Sequence, residues 1–444
     1  MKKKKKVSQK KPNTSVRLSQ CMIVKNEEKN IERALGWAKN VAFEQIVVDT
    51  GSTDRTVELA EKMGAKVYHF EWINDFAAAK NYAMDLAKGN WIAILDADEY
   101  MTPEDAGELL ATLKKIQADP VRSKECDAIT CTFVNLDENG NTIFIISHQR
   151  VFRNKPHLRF KGRIHETINI NHNHINIPGI RIIHTGYTQA VYTDTKKLDR
   201  NVTLLRKELD DEPDNPNIML YLADSIKGSG TPEALAESEE LFQKALNSEV
   251  PSKALIKQLA YNFLIPRYAR DNEKHDEAMR LCNRAIIDLP GYLDYYYYRA
   301  VLNNINREYK TAQDDLIKCE ELFMSSDGIP TTQIMMPSPL RLFYQLLLSA
   351  RGLGDTEGIS RNSTIIQIML KESKKESTVI GQYIRALLID GITEEAVLDE
   401  LAEIYDLNDP KDLLFIARAS KESGAVEFTR NIMKKIEQIL GDGS

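Results

Sequence analysis

What this chain lacks narrows its role before any motif is read. No segment approaches the roughly 20 consecutive apolar residues of a membrane-spanning helix. The lysine run from Met1 to Lys11 has no apolar stretch behind it and does not read as a secretory signal. It reads instead as a solvated, disordered basic tail over residues 1–15. Weak peripheral attachment to anionic lipid, at about 1 kcal/mol per basic residue, is the alternative. Cysteine is scarce: Cys21, Cys126, Cys131, Cys282 and Cys319 are scattered and odd in number. Reduced thiols in a cytoplasmic protein are the expectation, and Cys126 and Cys131 are too isolated from other soft ligands to suggest zinc. A strong excess of positive charge is also missing. The net charge of −6 does not suit nucleic acid as the main partner. Finally, the first strand candidate exits into Lys25-Asn26-Glu27, not G-x-G-x-x-G, and there is no P-loop. A Rossmann-type oxidoreductase fails on those residues.

What is present is enough for two or three domains, at 444 residues and 42% hydrophobic. Strand candidates at Leu18–Val24, Gln45–Asp49, Ala65–Phe70 and Trp91–Leu95 alternate with helical stretches at Glu28–Lys39, Asp54–Lys62 and Asp75–Lys88. That alternation predicts βαβ units and a mostly parallel sheet in an α/β domain over residues 16–195. Gly51-Ser52-Thr53-Asp54 supplies a turn and then a helix N-cap, with Gly64 and Gly89 at helix C-cap positions. Ala128–Leu136 and Asn141–Ser147 flank Asp137-Glu138-Asn139-Gly140, a hairpin signal. From Arg150 to Gly186 the pattern reads as loops and short strands closing over a site.

Residues 196–444 read as an all-α, tetratricopeptide-like domain. Ala278, Leu281 and Ala285 recur as Ala312, Leu316 and Cys319, and Ala285 and Cys319 are 34 residues apart, the tetratricopeptide period. A generic helical bundle is the competing description. Past about Ser338 the repeats blur, although helical patterning persists to Leu440.

The most informative feature is Asp96-Ala97-Asp98, directly after the apolar run Trp91-Ile92-Ala93-Ile94-Leu95. A buried strand ending in carboxylates delivers them to the edge of the sheet, where open α/β folds bind ligands. Two aspartates two positions apart can point the same way and hold a hard divalent cation beside a diphosphate. Asp49 closes the neighbouring strand, where its carboxylate could accept from a base N–H; an ordinary turn role is the alternative. His172 and His174, in an asparagine-rich stretch, read as solvated loop residues.

Four segments together carry a resemblance: Cys21 to Glu28, Val47 to Asp54, Asn74 to Asn81, and Leu95 to Glu99. In their order and spacing they resemble the family 2 glycosyltransferases, over roughly residues 18 to 190. With the tetratricopeptide-like tail, and with Arg150-x-Phe152-Arg153, Phe160-x-Gly162-x3-His165-Glu166 and His184-x-Gly186-Tyr187, the chain resembles the bacterial branch that includes the sublancin peptide S-glycosyltransferase. The resemblance implies a GT-A fold and a single inverting displacement on a UDP-sugar with Mg²⁺ or Mn²⁺. It implies that Ile23, Val24, Asn26, Glu27 and Asp49 line the uridine pocket. Asp75, Ala97 and Lys80 would also be on the donor side, with Lys80 where the family usually has arginine, a change that loses the planar fork. Asp96 would contact the ribose or metal-bound waters, and Asp98 would ligate the metal. His184 would complete the metal shell or touch the diphosphate, or else be structural. Glu166, in a loop after the sheet, is the expected catalytic base, with a structural pairing to Arg163 or another nearby base as the alternative. Glu99, Asp127 and Asp137 are the other carboxylates that could approach the acceptor.

The acceptor implied is Cys, Ser or Thr of a peptide or protein, or else a cell-surface glycan or lipid-linked saccharide. The helical repeats would form an acceptor groove or a homodimer interface. A non-catalytic adaptor is the remaining class.

Overall fold

The computed structural model describes residues 15–168, 170, 173–186, 195–325, 340–389 and 391–441. The basic tail, His172 and Tyr187 lie outside them. The chain divides into two compact units, residues 1–213 and 214–444.

The first unit is built on β1 (Leu18–Val24), buried almost throughout and therefore suited to the centre of a sheet covered on both faces. It pairs in parallel with β2 (Glu44–Asp49) and β4 (Trp91–Ile94), and β2 pairs in parallel with β3 (Lys66–His69). The crossovers carry α1 (Ile31–Gly36), α2 (Thr56–Lys62) and α3 (Phe76–Leu86). Then come β5 (Glu99–Tyr100), α4 (Pro103–Ala118), β6 (Ala128–Leu136) and β7 (Thr142–Arg153). A small hairpin, β8 (Phe160–Lys161) with β9 (Thr167–Ile168), precedes β10 (His174–His184). The large sheet runs β3-β2-β1-β4-β7-β6-β10-β5, mixing parallel and antiparallel pairs. Both faces are packed. Along β4, Trp91 and Ala93 join a cluster with Leu109, Leu113 and Ile116 of α4, while Ile92 and Ile94 join Ala83 and Met84 of α3. That is the two-residue period of a strand buried on both sides.

Four expectations are corrected. The region read as loops and short strands contains an 11-residue strand, β10, that pairs in parallel with β6. Its alternation is broken by Pro178-Gly179, which the pairing absorbs as a register shift between Ile177 and Arg181, so His174 opens a strand and is not a loop residue. Gly89 is not a helix cap: a Cβ there would lie 2.5 Å from the Arg17 carbonyl oxygen and 2.6 Å from Ser19 Oγ, so glycine permits a close backbone approach. The N-cap position of α2 is Arg55, while Asp54 accepts from the Thr56 backbone N–H and hydroxyl. Gly64 does follow α2 with φ 89°, the left-handed conformation expected past a helix end.

The second unit is helical from Pro216 onward among the described residues. Ala278, Cys282 and Ala285 of the helix His275–Asp288 are fully buried. So are Ala312, Leu316 and Cys319 of the helix Tyr309–Ser325. Ala278 and Ala285, repeated as Ala312 and Cys319, are therefore positions on which helices close, whereas Leu281 is half-buried and Cys282 is the residue 34 positions before Leu316. Beyond Leu340, where the pattern blurs, the helices still share one core around Tyr383, Ile416 and Phe428. All five cysteines are buried free thiols. Among the described residues no helix is long and apolar enough to cross a membrane.

Candidate active site

The exits of β1 and β2 are knitted into one wall. Asn26 adopts φ 58°, which asparagine tolerates, and its Oδ1 accepts from the Thr53 N–H at 2.8 Å. The Asn26 N–H donates to Ser52 Oγ, and the Glu27 N–H to Thr56 Oγ1 at 2.7 Å. Asp49 is buried, with its carboxylate accepting from the backbone N–H groups of Gly51 and Ser52 at 3.1 and 3.0 Å and lying 3.4 Å from His69 Nδ1. Its turn role is thus explicit, and carboxylate lone pairs remain for a further donor. The side chains of Val24 and Ala97 belong to the core, so these residues can offer a ligand only backbone.

At the end of β4 the carboxylates are sorted by their partners. Asp96 Oδ1 lies 3.1 Å from Lys80 Nζ, and Asp96 Oδ2 lies 3.2 Å from Arg150 Nη2. Burial works against the charged Asp96, but Lys80 and Arg150 outweigh it and hold its carboxyl well below the usual range. Lys80 also contacts Glu166 Oε1 at 2.7 Å. Its ammonium is buried, which alone would favour the neutral amine; Asp96 and Glu166 reverse that and keep it charged. Asp75 caps α3 by accepting from the Ala78 N–H, and Asn81 clasps Phe160 through both backbone groups, tying α3 to the β8 loop.

Arg150 sits where β7 has an extra residue: Val151 pairs with Ile129 and Gln149 with Thr130, leaving Arg150 as the bulge. A bulge re-aims a side chain, and here it accompanies the contacts of Arg150 with Asp96 and Glu99. Glu99, 2% exposed, accepts from Arg150 and from the Asp96 N–H. Burial, with the Asp96 charge adding to it, displaces the Glu99 carboxyl upward. Glu99 is thus a buried partner of Arg150, not a group facing an acceptor. Asp127 pairs with Lys155, and Asp137 holds the hairpin turn through the N–H groups of Asn139 and Asn141.

Asp98 is held differently. β10 pairs antiparallel with β5, setting His184 opposite Glu99, and the Thr185 N–H donates to the Asp98 carbonyl at 3.1 Å. This brings His184 Nε2 to 3.3 Å from Asp98 Oδ2. A Cβ on Gly186 would lie 2.2 Å from that oxygen and 2.6 Å from that nitrogen, so only glycine leaves this cradle open. Glu27 stands near enough that Asp98 and Asp96 add to the effect of burial in raising its carboxyl, against a hydrogen bond from Asn30.

The set fits a small divalent cation. Two ligands at right angles, each about 2.1 Å from such an ion, lie about 3 Å apart. Among the described residues no cluster of three or more His, Cys, Asp or Glu could hold a metal by itself. An ion of this kind is commonly held by one or two protein ligands, the rest being phosphate oxygens and water.

Glu166 lies in a loop fixed from outside. His165 before it has φ 53°, and Gly162 has φ 99°. Glu208, in the helix Thr195–Asp211, accepts from the backbone N–H groups of Arg163 and Ile164. Arg163 itself pairs with Asp211 at 2.8 Å, so Lys80 is the base that Glu166 meets. The structure joins Asp96, Lys80 and Glu166 in one set of contacts and Asp98 with His184 in another, while the roles of Arg150, Asn81 and Glu208 were not read from the sequence.

Comparison with known proteins bears on the family. The family model "Glycosyl transferase family 2" matches residues 19–176. A TPR repeat-containing protein of Synechococcus elongatus is 36% identical over 151 residues, 34% of this chain and 35% of that protein. The SPbeta prophage-derived glycosyltransferase SunS of Bacillus subtilis is 27% identical over 234 residues, 51% of this chain and 52% of that protein. The chain thus spans about a third to a half of the length of these relatives. Among solved structures, Staphylococcus aureus TarS is 13% identical with a TM-score of 0.33, over 70% of this chain and 55% of that one. Glucosyl-3-phosphoglycerate synthase from Mycobacterium tuberculosis, solved with Mn²⁺, UDP and glucosyl-3-phosphoglycerate, is 19% identical with a TM-score of 0.24, over 28% of this chain and 46% of that one. The amino-terminal unit therefore carries a family 2 glycosyltransferase domain, with a tetratricopeptide-like helical region following it in the chain.

Proposed function

We propose that this protein is an inverting glycosyltransferase that moves a sugar from a UDP-sugar to a nucleophile, Cys, Ser or Thr of a peptide or protein. The observation that carries the reading is the division of labour at Asp96-Ala97-Asp98. Asp96 is neutralised by Lys80 and Arg150, whereas Asp98 faces His184 across the Gly186 cradle. One carboxylate is thus tied into the scaffold, and the other, beside an imidazole, is the one that would face a cation.

Asp98 and His184 would hold Mg²⁺ or Mn²⁺, which when bound supplies Lewis-acid stabilisation of the charge developing on the departing diphosphate. The chain's own residues do the rest. The wall from Ile23 to Glu27, with Asp49, supplies backbone groups and a carboxylate suited to a uracil edge. Lys80 and Arg150, through their ion pairs, would hold Asp96 and Glu166 in fixed places on the donor and acceptor sides, an electrostatic environment that needs no reorganisation during reaction. Glu166 would take the acceptor proton, leaving Lys80 to stabilise the carboxylate before that transfer. Inversion follows from a single displacement, with the acceptor atom attacking the anomeric carbon as the bond to UDP breaks and the proton goes to the base.

Intact-mass analysis of Cys-, Ser- and Thr-containing peptides incubated with UDP-sugars and Mn²⁺ tests the acceptor. Addition of one sugar mass supports the peptide reading. Acceptor-dependent UDP release with saccharides alone would replace it by the glycan reading.

A further inference from the structure

His184 can serve a cation only if Nε2 presents a lone pair, and the fold contains a residue suited to enforce that. In the parallel pairing of β6 with β10, Asn135 is registered directly against His184. Asn135 is 1% exposed, and its Oδ1 lies 2.8 Å from His184 Nδ1. An amide oxygen only accepts, so in this contact the ring proton belongs on Nδ1. In the neutral ring Nε2 is then an acceptor turned toward a second acceptor, Asp98 Oδ2, at 3.3 Å, whereas a second ring proton would make the same contact an ion pair. Two acceptors at that separation are poorly matched to each other and well matched to a cation between them. The other neighbour across the sheet, Glu99, is occupied by Arg150 and the Asp96 N–H. Phe133 packs against the imidazole, its ring centroid 5.5 Å away.

We infer that Asn135 is a positioning residue for a divalent cation, holding His184 as the Nδ1-protonated tautomer so that Nε2 and Asp98 Oδ2 act as a ligand pair. This rests on the metal-dependent reading above and goes beyond it by naming the residue that prepares the imidazole. A metal-bound histidine typically donates its other ring N–H to such an outer partner, which fixes tautomer and ring orientation.

Binding, separate from turnover, tests it. Electron paramagnetic resonance titration of free Mn²⁺ in the presence of UDP gives the affinity of the full chain and of Asn135→Leu, Asn135→Asp and His184→Ala. The account expects Asn135→Leu to weaken Mn²⁺ binding by about 10- to 100-fold. Asn135→Asp, which keeps an acceptor facing Nδ1, should stay near the wild-type affinity. An Asn135→Leu protein that binds Mn²⁺ as tightly as wild type, while His184→Ala binds weakly, would overturn the inference and leave the metal reading standing. Equal binding by wild type and His184→Ala would remove His184 from the site and the inference with it. Should Asn135→Leu fail to fold, ¹⁵N NMR of the His184 ring in the metal-free wild type decides alone. A protonated Nδ1 with a bare Nε2 is expected, and a protonated Nε2 would overturn it.

Discussion

Lys80 Nζ stands between two carboxylates, 2.7 Å from Glu166 and 3.1 Å from Asp96, and links the proposed acceptor side of the site to its donor side. The side chain is 4% exposed and Glu166 is 13% exposed, whereas Asp96 is 38% exposed and retains Arg150. Lys80→Met should therefore destabilise the protein by about 2–3 kcal/mol, mainly by leaving Glu166 uncompensated. Urea unfolding reads this directly. Lys80→Arg should recover most of the loss, because a guanidinium can contact both carboxylates.

Gly186 tests the cradle. Gly186→Ala would place a Cβ against Asp98 Oδ2 and His184 Nε2 without touching the core of the sheet. The expected result is a loss of Mn²⁺ affinity on the order of 10- to 100-fold, the scale seen when the surroundings of metal ligands are disturbed. Circular dichroism should show the fold retained, and calorimetric titration in the presence of UDP measures the loss.

Glu44 gives a pH-dependent prediction away from the site. Its carboxylate accepts from Ser19 Oγ at 2.8 Å, the Lys88 N–H at 2.6 Å and Lys66 Nζ at 2.9 Å. Burial opposes ionisation, but these donors prevail and lower the Glu44 carboxyl below its ordinary value. A lowered folded-state value means stability present above about pH 4.3, the ordinary glutamate value, and lost as pH falls through the folded value. Glu44→Gln should cost about 1–3 kcal/mol at pH 7. The gap from wild type should shrink as the pH is lowered below 4, as followed by thermal unfolding at each pH.

The parts of the site that were legible in the sequence are those written in one continuous stretch. An apolar run ending in Asp96 and Asp98 announces a strand and its exit, and the helical segment holding Asp75 and Lys80 announces α3. What escaped depends on pairings between distant strands. Arg150 reaches Asp96 from a bulge in β7, and the local pattern does not say which residue of another strand a bulged side chain will meet. Asn135 meets His184 only through the register of β6 on β10, and β10 itself was hidden by the Pro178-Gly179 interruption. Glu99 was expected as a carboxylate able to approach the acceptor. Its place beneath Arg150 follows from pairing with β10, which no local pattern reports.

Metal-dependent sugar transfer through Asp98 is the activity proposed for this site. The most direct test measures UDP release from a panel of UDP-sugars with Mn²⁺ or Mg²⁺, wild type beside Asp98→Ala, in the presence of peptide and saccharide acceptors. Turnover is expected with at least one donor, lost on metal chelation and reduced by at least about 100-fold in the variant. Turnover that survives both chelation and Asp98→Ala would contradict it. So would a folded wild-type protein that releases no UDP from any donor with any acceptor, which would leave the adaptor reading in its place.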